Sequence, residues 1–155
     1  MNRDLFLNTE LCDVVKSALP AMNLVKVFDV ASLDKHSNLP LIYIYSPSDE
    51  ARPEPYEDGS GDLDLTIDVI IYIGFKCGND IAKEGIFQEA FWELASQAEK
   101  AMRVKRFGWY SDDTETAIFE PLQYKGKAIL DPNNGKGVGL GYLHFQCDCK
   151  VVNNG

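Results

Sequence analysis

The sequence predicts an α+β domain: a mostly antiparallel sheet with a short N-terminal helix and one long helix packed on one face. Three observations carry this. Residues 63–75 alternate between two faces without a break. Residues from about 80 to 106 keep one apolar stripe at helical spacing. The order of elements, α-β-β-(acidic loop)-β-α-β-β-β, joins strands by direct connections, which favour antiparallel pairing. A length of 155 residues suits one domain, spanning 1–155. A chain of this size buries roughly 68–70% of its unfolded surface and needs no staple.

The elements follow in order. Asn8 or Thr9 caps a first helix, and Leu11, Val14, Val15, Ala18 and Leu19 make its stripe up to Pro20. "LVKVFDV" (24–30) predicts a strand, "ASLDKHSN" a loop, and Pro40 opens a second strand, "LIYIYS". An acidic polar loop occupies 46–62. In the long strand, Leu63, Leu65, Ile67, Val69, Ile71, Ile73 and Phe75 face the core; the other face starts polar and turns apolar at Ile70 and Tyr72. "CGND" caps the long helix, whose stripe is Phe87, Ala90, Phe91, Leu94, Ala98, Ala101 and Met102. Its early glutamates and late Lys100, Arg103, Lys105 and Arg106 suit the helix dipole, and Gly108 is a stop. "TAIFEPLQY" (116–124) and "KAILD" (127–131) predict two shorter strands, with Pro121 placing the first at an edge or bulge. "DPNNG" is a turn. In the last strand, about 138–152, Leu143, Phe145, Cys147, Cys149 and Val151 face inward and Tyr142, His144, Gln146, Asp148 and Lys150 outward.

Charge and composition exclude several functions. A net charge of −9 lacks the basic footprint of a general nucleic-acid binder and opposes anionic membrane. "MNRDLFLNTEL" has no apolar run of signal-peptide length, and no window nears ~20 apolar residues. Cys12, Cys77, Cys147 and Cys149 therefore read as reduced thiols in a cytosol.

Motifs that suggest chemistry fail on spacing. An EF-hand loop opening at Asp58 needs Gly at its sixth position and Glu at its twelfth, where Leu63 and Val69 stand. His144 falls on the strand face opposite Cys147 and Cys149, so the three do not converge on a zinc ion. "NNGKGVGLG" has Leu130 and Gly137 where a phosphate loop needs Gly and Ser or Thr; its glycines share one strand face, which another backbone approaches closely. "VKRFGWY" (104–110) is a helix end with packed aromatics. No Gly-x-Ser-x-Gly elbow occurs, and His36 and His144 are the only neutral-pH bases. Among carboxylates only Asp68 lies inside an apolar run. The chain is not expected to be an enzyme, to use a cofactor or to hold a metal.

The capped N-terminal helix, the Pro-led "LPLIYIY", the long polar loop, the alternating strand, the single long helix and the closing hairpin ending in "GYLHFQCDCKV" resemble the tail terminator (minor tail protein U) family of long-tailed phages and prophages. The resemblance covers most of the chain and rests on order and spacing. The "NNGKGVGLG" hairpin and the cysteines depart from it. It implies a structural protein, a homohexameric ring that ends tail-tube polymerisation and offers the head a docking surface. Its partners would be further copies of itself, the tail-tube protein and a head-completion protein. Its place would be the host bacterial cytoplasm during assembly and then the virion tail. On this reading the acidic segment, with Glu50, Arg52, Glu54, Glu57, Asp58, Asp62 and Asp64, contacts a neighbouring subunit or the lumen, where acids repel DNA and let it slide. Two alternatives stay open: another head–tail joining or tail-tube protein, and a small cytosolic enzyme or ligand-binding domain.

Overall fold

The computed structural model describes residues 2–26, 39–45, 49–51, 60–76, 84–131 and 137–155. The architecture is α+β, two helices and a predominantly β remainder. In chain order the elements are α1 (Arg3–Ala18), β1 (Asn23–Leu24), β2 (Leu41–Tyr45), β3 (Asp49–Ala51), β4 (Leu63–Lys76), α2 (Glu84–Val104), β5 (Trp109–Ser111), β6 (Glu115–Phe119), β7 (Gln123–Asp131) and β8 (Val138–Asn153).

The sheet is built on one ladder. β4 and β8 pair antiparallel from Leu63↔Val151 to Lys76↔Val138. β2 and β3 share the far edge of β4, pairing with its second and first halves. β6 and β7 share the far edge of β8 in the same way. β5 lies outside β6, and β1 outside β2, the one parallel pair among the described residues.

The alternation in β4 is realised as burial. Leu65, Ile67, Val69, Ile71 and Ile73 join Leu143, Phe145, Cys147, Cys149 and Val151 of β8 in one core cluster. From the helices, Leu7, Leu11 and Val15 of α1 and Phe87, Phe91, Ala95, Ala98 and Met102 of α2 enter the same cluster. Both helices thus cover the face that carries the odd-numbered residues of β4.

The glycine stripe of β8 explains how α2 sits so close. A Cβ on Gly141 would lie 2.5 Å from Cζ and 2.8 Å from Cδ2 of Phe91, and one on Gly139 would lie 2.7 Å from Cγ of Phe87. Both rings are fully buried and stack with centroids 6.0 Å apart. The sequence suggested a neighbouring backbone against these glycines; two aromatic side chains fill the space instead.

Other expectations need correction. The first helix is not short: it has 16 residues, Arg3–Ala18, and is capped by Asn2, whose Oδ1 accepts from the Leu5 N–H. Asn8 and Thr9 are interior, and the Thr9 hydroxyl donates back to the Leu5 carbonyl, four residues earlier. Of the strand expected over 24–30, Leu24 is strand, within Asn23–Leu24, and Val25 and Lys26 are not, although Val25 N–H donates to Ile42 O; 27–30 lie outside the described residues. Leu94 is half-buried, while Ala95 holds the core position. The long helix ends at Val104, where Lys105 N–H turns back to Met102 O at 3.2 Å, ahead of Gly108. The interruption in 116–131 falls at 120–122, and 123–131 is one strand. β5 is an additional strand.

Candidate functional site

The face of the sheet opposite the helices carries the even-numbered residues of the central ladder. Asp64 stands opposite Lys150, Thr66 opposite Asp148, Asp68 opposite Gln146, Ile70 opposite His144 and Tyr72 opposite Tyr142. The middle is a hydrogen-bonded belt. His144 Nε2 lies 2.7 Å from Asp68 Oδ1, Gln146 Nε2 donates to the same oxygen at 3.1 Å, and the Thr66 hydroxyl donates to Asp148 Oδ1 at 3.1 Å. The bond from His144, aided by Gln146, holds the Asp68 carboxyl below its ordinary value against the opposing effect of burial.

Toward β2 the face becomes aromatic. Tyr43, Tyr72 and Tyr142 form a row across three strands, with centroids 6.2 Å and 6.1 Å apart, and Tyr45 stacks beside Tyr43. At the opposite corner Trp109 is 75% exposed, in register with Ile118, which stands opposite Lys150. This surface mixes aromatic rings with hydrogen-bonded polar groups.

The chemistry available is limited. An Asp–His pair orients an imidazole, but its third member, Gln146, is an amide and transfers no proton. Burial pushes the Cys147 thiol up to about 12, and its Sγ donates to the Glu120 carbonyl at 3.3 Å. Burial, followed by Asp13, also raises Cys12, which lines a cleft of about 520 Å³ between α1 and β1–β2. Both are protonated at neutral pH and poor nucleophiles. Cys147 and Cys149 are buried in the core while His144 lies on the opposite face. Among the described residues no three His, Cys, Asp or Glu side chains cluster as metal ligands. No described helix is long and apolar enough to cross a membrane.

The acidic segment divides. Glu50 belongs to β3, opposite Thr66, so residues 49–51 are paired strand and not loop. The reason is the ladder: Leu65–Ile67 of β4 offer backbone groups on that side, and Asp49–Ala51 satisfies them. Asp62 is not a free charge; its Oδ1 accepts the Asn153 N–H at 2.8 Å, while Asn153 Nδ2 donates to Ser60 O at 2.8 Å. Asp64 projects from the ladder opposite Lys150. Arg52, Glu54, Glu57 and Asp58 lie outside the described residues. The chain end continues the clasp: Asn154 donates to Asp112 O at 3.1 Å and Thr116 Oγ1 at 2.9 Å, tying the β5–β6 hairpin to the end of β8.

Sequence reasoning singled out Asp68 and placed His144 on the outward face, but not their contact. The signal that brings them together is the offset between two long alternating patterns, which neither pattern contains alone. The tyrosine row was hidden in the same way.

No protein-family model matches the chain, and no curated protein matches it in sequence.

Proposed function

We propose that the chain is a ring-forming structural protein of phage tails, a tail terminator that stops tube polymerisation and presents a surface to the head. The observation that supports this reading is the placement of the sheet. Among the described residues the helices cover one face of the two long central strands, and the other face carries aromatic and polar side chains. A ring subunit needs such a rigid platform together with edges that meet neighbours. The hexamer, the tube and head partners and the virion location belong to the same proposal, as does the role of the acidic segment at a neighbour or lumen.

The test is assembly. Light scattering and native mass spectrometry of the purified chain, across salt and Mg²⁺ and with tail-tube protein present, should reveal a closed oligomer near six subunits. Adding it to polymerising tubes should give capped tubes of limited length. A strict monomer under every condition, with tube growth unaffected, overturns the proposal.

A further inference from the structure

A cleft of about 520 Å³ opens between α1 and the β1–β2 edge of the sheet, a size that suits a small ligand or a few side chains. Half-buried Cys12 and Leu24 and buried Ile44 form its inner wall, and exposed Asn8, Thr9, Asp13 and Lys26 its rim. One side of this cleft is a strand edge. β1 stops at Leu24, opposite Ile42, while β2 runs on to Tyr45. The Pro40 and Ile42 carbonyls accept from the Asn23 and Val25 N–H groups, so every second residue of β2 turns its backbone groups toward β1. Ile44 is the next in that series. No described strand lies beside it on that side, so its N–H and C=O face the gap beyond β1 while its side chain lines the cleft.

We propose that this cleft takes an extended peptide of a partner protein, which adds as a short strand at the Ile44 edge and inserts one apolar side chain between α1 and β2. The inference goes beyond the ring reading and stands without it. Two requirements meet at one place. A backbone donor and acceptor at a strand edge beside a buried wall call for an extended main chain, because unsatisfied amide groups are costly there. Apolar side chains next to that edge select among the alternate side chains of the incoming strand. A compact apolar molecule meets only the second requirement. A nucleic acid meets neither, and the net charge of −9 opposes it. Asp13 and Lys26 put one charge of each sign on the rim, so the favoured peptide has low net charge, with uncharged or mixed polar residues flanking the apolar one. The free stretch is short, so two main-chain bonds and one side chain carry the affinity. A short edge also resists indiscriminate pairing.

The experiment is an amide NMR titration of the full chain with a blocked pentapeptide of alternating threonine and valine. Binding should shift the amides of Leu24, Val25 and Ile44 and of Thr9 and Cys12, and the Ile44 amide should exchange more slowly with solvent. Methylating the peptide's amide nitrogens removes its donors, and replacing its valines with serines removes the apolar side chain; each change should weaken binding by about tenfold or more. Asn8→Trp and, separately, Thr9→Trp set a ring at the exposed rim and should block the peptide, with unchanged melting showing that the variants fold. If the methylated peptide binds as tightly as its parent, the cleft takes an apolar body alone and strand addition is wrong. If Ile44 is already protected in the free protein and no peptide shifts the cleft, the chain fills this edge itself and the proposal falls. Shifts at these amides that follow protein concentration and not peptide give the edge to a second copy and overturn it too.

Discussion

Replacing Gly141 with Ala adds one methyl group, and the space it would take is already filled by Phe91. The added carbon would lie 2.5 Å from Cζ and 2.8 Å from Cδ2 of that ring, against ordinary contact beginning near 3.4 Å. The ring is fully buried and cannot swing to solvent; it also stacks on Phe87, which stacks on Phe75 with centroids 4.6 Å apart. Relief therefore requires α2 to lift from β8. Overpacking of this kind costs ~1–3 kcal/mol. For a domain of this size, at 2–4 °C per kcal/mol, that is a melting temperature lower by roughly 2–12 °C. Phe91→Ala should itself cost about 3–5 kcal/mol by opening a cavity. The double variant decides the matter. With the ring gone, the methyl group enters the vacated space, so Gly141→Ala in the Phe91→Ala background should cost close to nothing, a coupling of about 1–3 kcal/mol. Urea unfolding of the four proteins measures the cycle. If Gly141→Ala melts with the wild type, or if the two costs add, α2 does not rest on the glycine stripe and the assignment of the sheet's open face loses its basis.

The remaining expectations concern acid and the polar segment. Asp112 accepts from the Glu115 and Thr114 N–H groups and from the Tyr110 hydroxyl, which holds its carboxyl far below the ordinary range. A depressed carboxyl contributes its stability in full above the unfolded value of about 3.9 and loses it as pH falls through the folded one. Asp112→Ala should therefore be less stable than the wild type at pH 7, with the difference shrinking below about pH 3.9; a difference constant with pH in urea titrations refutes this. Asp68, depressed chiefly by His144, follows the same sign, so His144→Ala should raise the Asp68 pKa as followed by carboxyl NMR, and an unmoved titration contradicts the pair. Excising 52–59 behind a short Gly-Ser turn, while keeping β3 and the Ser60–Asp62 clasp, should leave the melting temperature near that of the wild type, since loop closure depends weakly on length. The variant should assemble poorly. An unfolded product assigns the segment to folding, and normal tail completion makes it a mere linker.

Local patterns were legible wherever one face of an element is buried. The thirteen-residue alternation in 63–75 and the Phe87–Phe91–Ala98–Met102 stripe are consequences of burial, so they survive in the sequence. What the sequence hid was pairing. Asp49–Ala51 looks like loop because two of its three residues are acidic, yet an edge position supplies backbone bonds without asking for an apolar side chain. Asn8 and Thr9 lie nearer the apolar stripe than the true cap, Asn2; buried Leu7 extends that stripe one turn earlier. Trp109 and Tyr110 read in the sequence as part of a helix end over 104–110, because the three residues of β5 are too few to show a period. The Asp68–His144 contact, and the row from Tyr43 to Tyr142, depend on the register of β4 against β2 and β8. That register is fixed by the whole core at once, and no single segment encodes it.

One edge of the central ladder carries an irregularity, and it bears on how that edge can bend. Phe119 stands opposite Cys149 and Gln123 opposite Gln146, so three residues, including Pro121, oppose two on β8. The long inner strand is unbroken there, and the outer side takes up a single extra residue. An extra residue increases local twist and lets an outer strand bend away from the plane of its partner. The ladder of β4 and β8 is thus the regular part of the sheet, backed on one face by Phe87, Phe91, Leu11 and Val15 of the helices. The interruption at 120–122 is therefore where β6 and β7 can differ in direction while both stay paired to β8.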